Sequence, residues 1–114
     1  MSRNHYVNVY YDEFKKFHKT EHVVLPGVLH VNSNDQITFI ASKSNITIFI
    51  PNADRLFLQV EKNLRFPVNS GEVSETYTVV YNKNEEPLVV PYAVFCENGN
   101  DFAEGNSSPK IIVE

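Results

Sequence analysis

Tryptophan is absent from the sequence, methionine occurs only as Met1, and cysteine occurs only as Cys96. A single cysteine cannot form a disulfide within the chain, so no disulfide framework is predicted and a reducing compartment is favoured. The first residues contain no apolar segment of the kind that a secretory signal needs. We therefore expect a cytoplasmic localisation.

Positive charge is also scarce. The chain has 10 Lys and Arg against 14 Asp and Glu, which gives a net charge of −4 and an isoelectric point near 5.5. Phosphate recognition needs clustered cations, so nucleic acid is not an expected partner. No apolar run approaches about 18 residues and no basic amphipathic helix is present, so we expect no membrane partner.

The sequence does contain many short stretches in which apolar and polar residues alternate. Its 114 residues fit a single domain, 1–114. Strands are predicted at residues 5–11, 36–41, 46–50, 75–81, 88–96 and 110–114, and two strand pieces within 22–31 flank Pro26-Gly27. Residues 56–60 and 65–67 are weaker extended segments, and residues 12–21 have the spacing of one or two helical turns.

Seven or eight strands about ten residues apart, with turn residues between them, are typical of an all-β antiparallel β-sandwich with Greek-key connections. At most one short helix is expected. The predicted core consists of apolar residues on the inward faces of these strands: Val7, Val9, Ile37, Phe39, Ile48, Ile50, Tyr77, Val79, Tyr92, Val94, Ile111 and Val113.

Four stretches of the sequence resemble a cupredoxin-like domain. Residues 31–39, VNSNDQITF, are similar to the strand entry of that family, with Asn34-Asp35 in place of Gly-Asp, and residues 46–57 are similar to the following strand and loop. Residues 92–96, YAVFC, resemble the family strand that ends in cysteine, and residues 105–113 resemble its closing loop and strand. The resemblance runs from residue 31 to residue 114 and implies a cupredoxin-like fold.

The resemblance raises the question of whether the chain has a type I copper site. Such a site takes two His, one thiolate and often an axial Met. In the family the second His and the Met follow the cysteine, but residues 97–114 contain neither, and residues 51–57, expected to bring the first His, contain no His. Only Cys96 matches the ligand pattern, so no cofactor is predicted.

Three residues remain as metal-ligand candidates: Cys96, His18 and His22. An H-x-x-x-H pair places both imidazoles on one face if the segment is helical, a pattern that binds Zn or Cu. Cys96 lies between Phe95 and Glu97, which favours a small core residue over a reactive thiolate. The acidic stretch with Glu97, Asn100, Asp101 and Glu104 offers oxygen ligands for Ca²⁺, or a recognition loop.

No nucleophile motif such as G-x-S-x-G and no phosphate-binding loop is present. The chain has more Tyr and Phe than its core can hold, so some of these side chains can form an exposed surface for a partner or for a homodimer. We therefore expect a non-catalytic binding or interaction module whose partner is a protein or a small ligand. The alternatives are a protein that binds Cu, Zn or Ca, and a small hydrolase whose site is assembled in space.

Overall fold

The computed structural model of the chain describes residues 2–11, 22–60, 62–80, 82, 86–97, 101–103 and 109–114. These residues form eleven strands and one 3₁₀ turn, Ala53–Arg55. The strands are β1 Asn4–Tyr11, β2 His22–Leu25, β3 Val28–Val31, β4 Gln36–Ala41, β5 Ile46–Ile50, β6 Leu64–Val68, β7 Tyr77–Thr78, β8 Leu88–Pro91, β9 Ala93–Cys96, β10 Asp101–Phe102 and β11 Lys110–Val113. The predicted helical turns at 12–21 lie outside the described residues.

Three sheets have the strand orders β2-β1-β4-β7, β10-β9-β5-β6 and β3-β11-β8. The prediction of an all-β fold is confirmed, but the sheets are mixed. β1 runs parallel to β4 and β11 runs parallel to β3, whereas the other strand pairs are antiparallel. Parallel pairing follows from the long connections between these strands, which alternation within a strand does not reveal.

The strand number exceeds the predicted seven to eight because one predicted strand is divided, the weaker segment 65–67 lies in a full strand, β6, and β10 is additional. The segment 88–96 forms two strands separated at Tyr92, and among the described residues 75–80 only Tyr77–Thr78 form a strand. Residues 56–60 form a turn in which Phe57 makes an isolated bridge to Val79. The two-residue strand β10 was not predicted, because its neighbourhood consists of turn-forming polar residues.

The core lies between the sheets, and all twelve predicted core residues are buried. Strand β5 shows how the alternation works, since Ile46, Ile48 and Ile50 are buried while Thr47 and Phe49 point outward. Burial of a large aliphatic side chain contributes about 1.5–3 kcal/mol. The inward face of β5 therefore holds the sheet to the core, and its outward face is available for other contacts.

A buried carboxylate joins the start of β1 to the start of β4. Asn34 adopts φ 72°, the left-handed conformation in which the related motif has Gly, and this turn places Asp35 under the sheet. Asp35 accepts hydrogen bonds from the backbone N–H groups of Arg3 and Asn32, each at 2.9 Å, and from His5 Nε2 at 2.8 Å. Burial alone would raise the pKa of this carboxyl, but these hydrogen bonds hold it below its ordinary value.

Among the described residues, no helix has the length and apolar character that a membrane crossing requires.

Candidate functional site

Cys96 is the last residue of β9 and is completely buried. In the sheet it lies opposite Ile46 of β5 on one side and Asp101 of β10 on the other. The next residue, Glu97, donates its backbone N–H to the Asn45 carbonyl at 3.0 Å. The turn at residues 42–45 is therefore the loop that adjoins Cys96.

This placement corrects the expectation that residues 51–57 would lie beside Cys96. Strand β5 begins at Ile46, next to Cys96, and ends at Ile50, so the loop 51–57 leaves from the far end of the strand. Four residue steps along a strand amount to about 13 Å. The adjoining turn reads Ser-Lys-Ser-Asn and, like the loop at 51–57, contains no His.

His22 reaches this region from β2. Its Nε2 and the Ser44 hydroxyl form a hydrogen bond at 2.7 Å. The rings of Tyr11 and His22 meet edge to face, with their centroids 5.4 Å apart. Both His22 and Ser44 are buried, so the structure places His22 in the interior rather than on the surface. The pairing of His22 with His18 as a metal site stays a prediction. His18 lies outside the described residues. The spacing of 22 residues between His22 and Ser44 carries no sequence signal for this contact.

A type I copper site needs two imidazoles beside the thiolate, and the described residues around Cys96 do not supply them. His5 is bound to Asp35, and His30 Nδ1 lies 2.6 Å from Glu114. In the part of the chain that the structure describes, no three His, Cys, Asp or Glu side chains are grouped to hold a metal ion. In the whole sequence, no His follows His30.

The His22–Ser44 pair also bears on the hydrolase alternative. A Ser–His hydrogen bond can activate a hydroxyl for nucleophilic attack. Here, however, the Ser44 residue is only 4% exposed and His22 only 2%. A substrate cannot reach this hydroxyl unless the fold opens, and the contact therefore serves to anchor β2 to the turn at 42–45.

The predicted recognition loop is only partly within the described residues. Glu97 is exposed, and Asp101 lies in β10, where its backbone pairs with Cys96. Asn100 and Glu104 lie outside the described residues. The loop therefore stays a prediction, but its strand β10 brings Phe102 onto the outer face of the sheet β10-β9-β5-β6.

That outer face carries a groove of about 430 Å³. The groove is lined by six outward-facing side chains from four strands: Thr47, Phe49, Arg65, Ala93, Phe95 and Phe102. The sheet register explains why they meet, since Phe95 pairs with Phe102 and Thr47, and Phe49 pairs with Ala93 and Arg65. The groove is therefore a product of sheet pairing between distant parts of the chain.

Phenylalanine dominates this surface. The rings of Phe95 and Phe102 meet edge to face with their centroids 5.2 Å apart. Phe102 is 59% exposed and Phe49 is 40% exposed, although both are fully apolar side chains. Large apolar side chains gathered in an exposed concavity are a common feature of binding sites.

Arg65 and Thr47 supply the only polar groups among the described lining residues. Arg65 belongs to the edge strand β6 and is exposed, and it forms no ion pair with any carboxylate of the described residues. The groove thus combines an aromatic wall with one cation at its β6 side. This arrangement suits binding better than acid–base chemistry, because the described lining contains no side chain that titrates near neutral pH.

Neither a protein-family model nor a curated protein matches the sequence. Solved structures do match: a proline-to-glycine mutant of amicyanin, in its reduced Cu(I) form at pH 4, has a TM-score of 0.54 at 15% identity. That match covers 96% of this chain and 80% of the other. A methionine-to-glutamine mutant of amicyanin with Cu(I) has a TM-score of 0.50 at 16% identity, over 97% of this chain and 82% of the other. Since amicyanin is a cupredoxin, the chain has a cupredoxin-like fold.

Proposed function

We propose that this chain is a non-catalytic binding module that takes a small apolar ligand in the groove of the sheet β10-β9-β5-β6. The observation that carries the proposal is the exposure of Phe49 and Phe102 in one concavity with Phe95. The volume of about 430 Å³ lies within the range of small-molecule sites, which are mostly apolar and hold few polar groups.

Two properties of the described lining support a role in binding rather than catalysis. Arg65 is the one charged side chain there, and a guanidinium has hydrogen-bond donors but no acceptor. Thr47 is the one hydroxyl, and no general base lines the groove beside it among the described residues. Proton transfer and nucleophilic attack therefore lack the pair of groups that they need.

The proposal also holds that the module works without type I copper. The sequence supports this part, because all four His precede residue 31 and no Met follows Met1. The register supports it further, since the turn next to Cys96 reads Ser-Lys-Ser-Asn and brings no imidazole of its own. We accordingly place the activity on the outer sheet face and not at Cys96.

A neutral fluorescent dye, 1-aminoanthracene, tests the groove. We expect its emission to rise on addition of the protein, with saturation at one dye per chain. Phe102→Ala should weaken binding about fivefold, since stacking on an aromatic side chain contributes about 1 kcal/mol. Leu58→Ala is the matched control, because Leu58 is 63% exposed but lies outside the groove.

Absence of dye binding, or an equal loss in Leu58→Ala and Phe102→Ala, would contradict the proposal. A second copy of the chain is the competing occupant of the same face. Light scattering at the concentrations of the titration distinguishes the two, because a dimer that covers the groove would exclude the dye as the protein concentration rises.

A further inference from the structure

We propose that the ligand of the groove is a small carboxylic acid with an aromatic or similarly flat apolar body, and that Arg65 binds its carboxylate. This inference rests on the proposed function of the groove. It extends that function from apolar binding in general to one chemical class, and it assigns the selection of that class to a single side chain.

The sheet order sets the layout of the site. Phe102, Phe95, Phe49 and Arg65 come from β10, β9, β5 and β6, which are successive neighbours in the sheet. Three inter-strand spacings of about 4.8 Å separate β10 from β6, and the register offsets Arg65 by two residues along the strand, so Phe102 and Arg65 lie about 16 Å apart. A ligand lying across the strands meets aromatic rings along its body and reaches the cation only at the β6 side.

The cation is available for a ligand. Arg65 is exposed, and no carboxylate among the described residues lies within ion-pair distance of it. A planar guanidinium presents parallel N–H groups that match the two oxygens of a carboxylate. An aromatic wall ending in an unpaired Arg is thus complementary to a molecule with an apolar body and one terminal acid group.

The same features disfavour other ligand classes. An aromatic groove can bind a quaternary ammonium group, but Arg65 would repel that charge. A sugar needs many hydrogen-bonding partners, and among the described lining residues only Arg65 and Thr47 have polar side chains. A polyphosphate needs several cations, and the chain as a whole has a net charge of −4.

Isothermal titration with a matched pair of compounds tests the inference. The pair is 2-naphthoate and 2-naphthamide, which share the aromatic body and differ in the charge of one group. We expect the wild-type protein to bind 2-naphthoate about fivefold more tightly, because a charge-assisted bidentate contact at an exposed site is worth about 1 kcal/mol.

Arg65→Gln should abolish this preference for the acid, so that its affinity for 2-naphthoate falls about fivefold relative to its affinity for 2-naphthamide. Arg65→Lys should restore part of the preference, since it keeps the charge but not the planar fork. Arg55→Gln is the control, because Arg55 is also exposed but lies in the 3₁₀ turn outside the groove. Circular dichroism confirms that each variant is folded.

The outcomes separate the two proposals. Equal binding of acid and amide by the wild-type protein, or a preference that survives in Arg65→Gln, would overturn the role of Arg65 and leave apolar binding in the groove intact. Binding of neither compound would overturn both. A preference that Arg55→Gln also removes would show a general effect of net charge and would likewise overturn the inference.

Discussion

The buried Asp35 carboxylate accepts three hydrogen bonds, from Arg3, Asn32 and His5, and so links three separate parts of the chain. Asp35→Asn replaces one acceptor oxygen with an amide that cannot accept. We expect a loss of about 1–3 kcal/mol in the free energy of unfolding at pH 7, measured in urea. Asp54→Asn is the control, since Asp54 is exposed and should change stability by less than about 0.5 kcal/mol.

The pKa of Asp35 gives the pH dependence of this difference. Because the folded pKa is lowered, the unfolded chain takes up its proton first as the pH falls. The stabilisation is therefore present above the ordinary Asp pKa of about 3.9 and is lost as the pH falls toward the folded pKa. The gap between wild type and Asp35→Asn should narrow below about pH 4, and a constant gap down to the acid transition would contradict this explanation.

In contrast to the Asp35 carboxylate, the buried hydroxyl of Tyr92 has no hydrogen-bond partner among the described residues. Burial raises the pKa of Tyr92 well above its ordinary value. Above about pH 10 the unfolded chain loses this proton while the folded chain keeps it, so stability should fall as the pH rises. Tyr92→Phe removes both the unpaired hydroxyl and this alkaline loss.

We expect Tyr92→Phe to match or exceed the wild-type stability at pH 7, by up to about 2 kcal/mol, and to unfold at a higher alkaline pH. The pH-dependent urea midpoint measures both effects. Tyr6→Phe serves as the control because Tyr6 is 57% exposed. A clear loss of stability in Tyr92→Phe would reveal a hydrogen bond that the described residues do not account for.

Cys96 is the residue at which the proposal of a copper-free module can be tested. On the copper-free proposal, we expect the reduced protein titrated with Cu²⁺ to show no intense visible absorption, since among the described residues no pair of imidazoles stands beside the thiol to complete a blue-copper ligand set. The buried thiol should also react slowly with thiol reagents until the protein is unfolded. An intense band in the wild type that disappears in folded Cys96→Ala would refute the copper-free proposal.

The two faces of strand β5 contribute differently: the inward face to stability and the outward face to binding. Substitutions at the neighbouring residues Ile48 and Phe49 compare these contributions. Ile48 is completely buried, so Ile48→Ala should cost about 2–5 kcal/mol in the free energy of unfolding. Phe49→Ala should cost about 1 kcal/mol or less, because a large part of that side chain is already exposed. Dye binding should show the reverse order, with a loss in Phe49→Ala and none in Ile48→Ala while that variant remains folded.

Strands β4 and β5 are the elements that the sequence predicts residue for residue. Each combines apolar alternation with turn residues at both ends, so local signals are sufficient. The segment 75–81 alternates equally well, yet of its described residues, 75–80, only Tyr77 and Thr78 form a strand, because ladder length depends on the partner strand β4. Burial of Tyr77 and Val79 follows from alternation even where the ladder ends.

At the scale of the whole molecule, the groove could not be predicted because it depends on which strands become neighbours. Alternation in residues 46–50 does place Phe49 opposite the core face. It gives no indication that Arg65 and Phe102, 37 positions apart in the sequence, line the same concavity. The contact between His22 and Ser44 is hidden from the sequence for the same reason.

The direct test of the central claim, that the outer face of the sheet β10-β9-β5-β6 is the binding surface, is an NMR titration of ¹⁵N-labelled protein with 2-naphthamide. Because this compound is neutral, the result does not depend on a charge contact with Arg65. We predict that the shifting amides cluster at Thr47, Phe49, Ala93, Phe95 and Phe102, with little change in β1 and β2. Shifts centred on the turn at 42–45 and Cys96, or on the outer face of β1, would contradict the account.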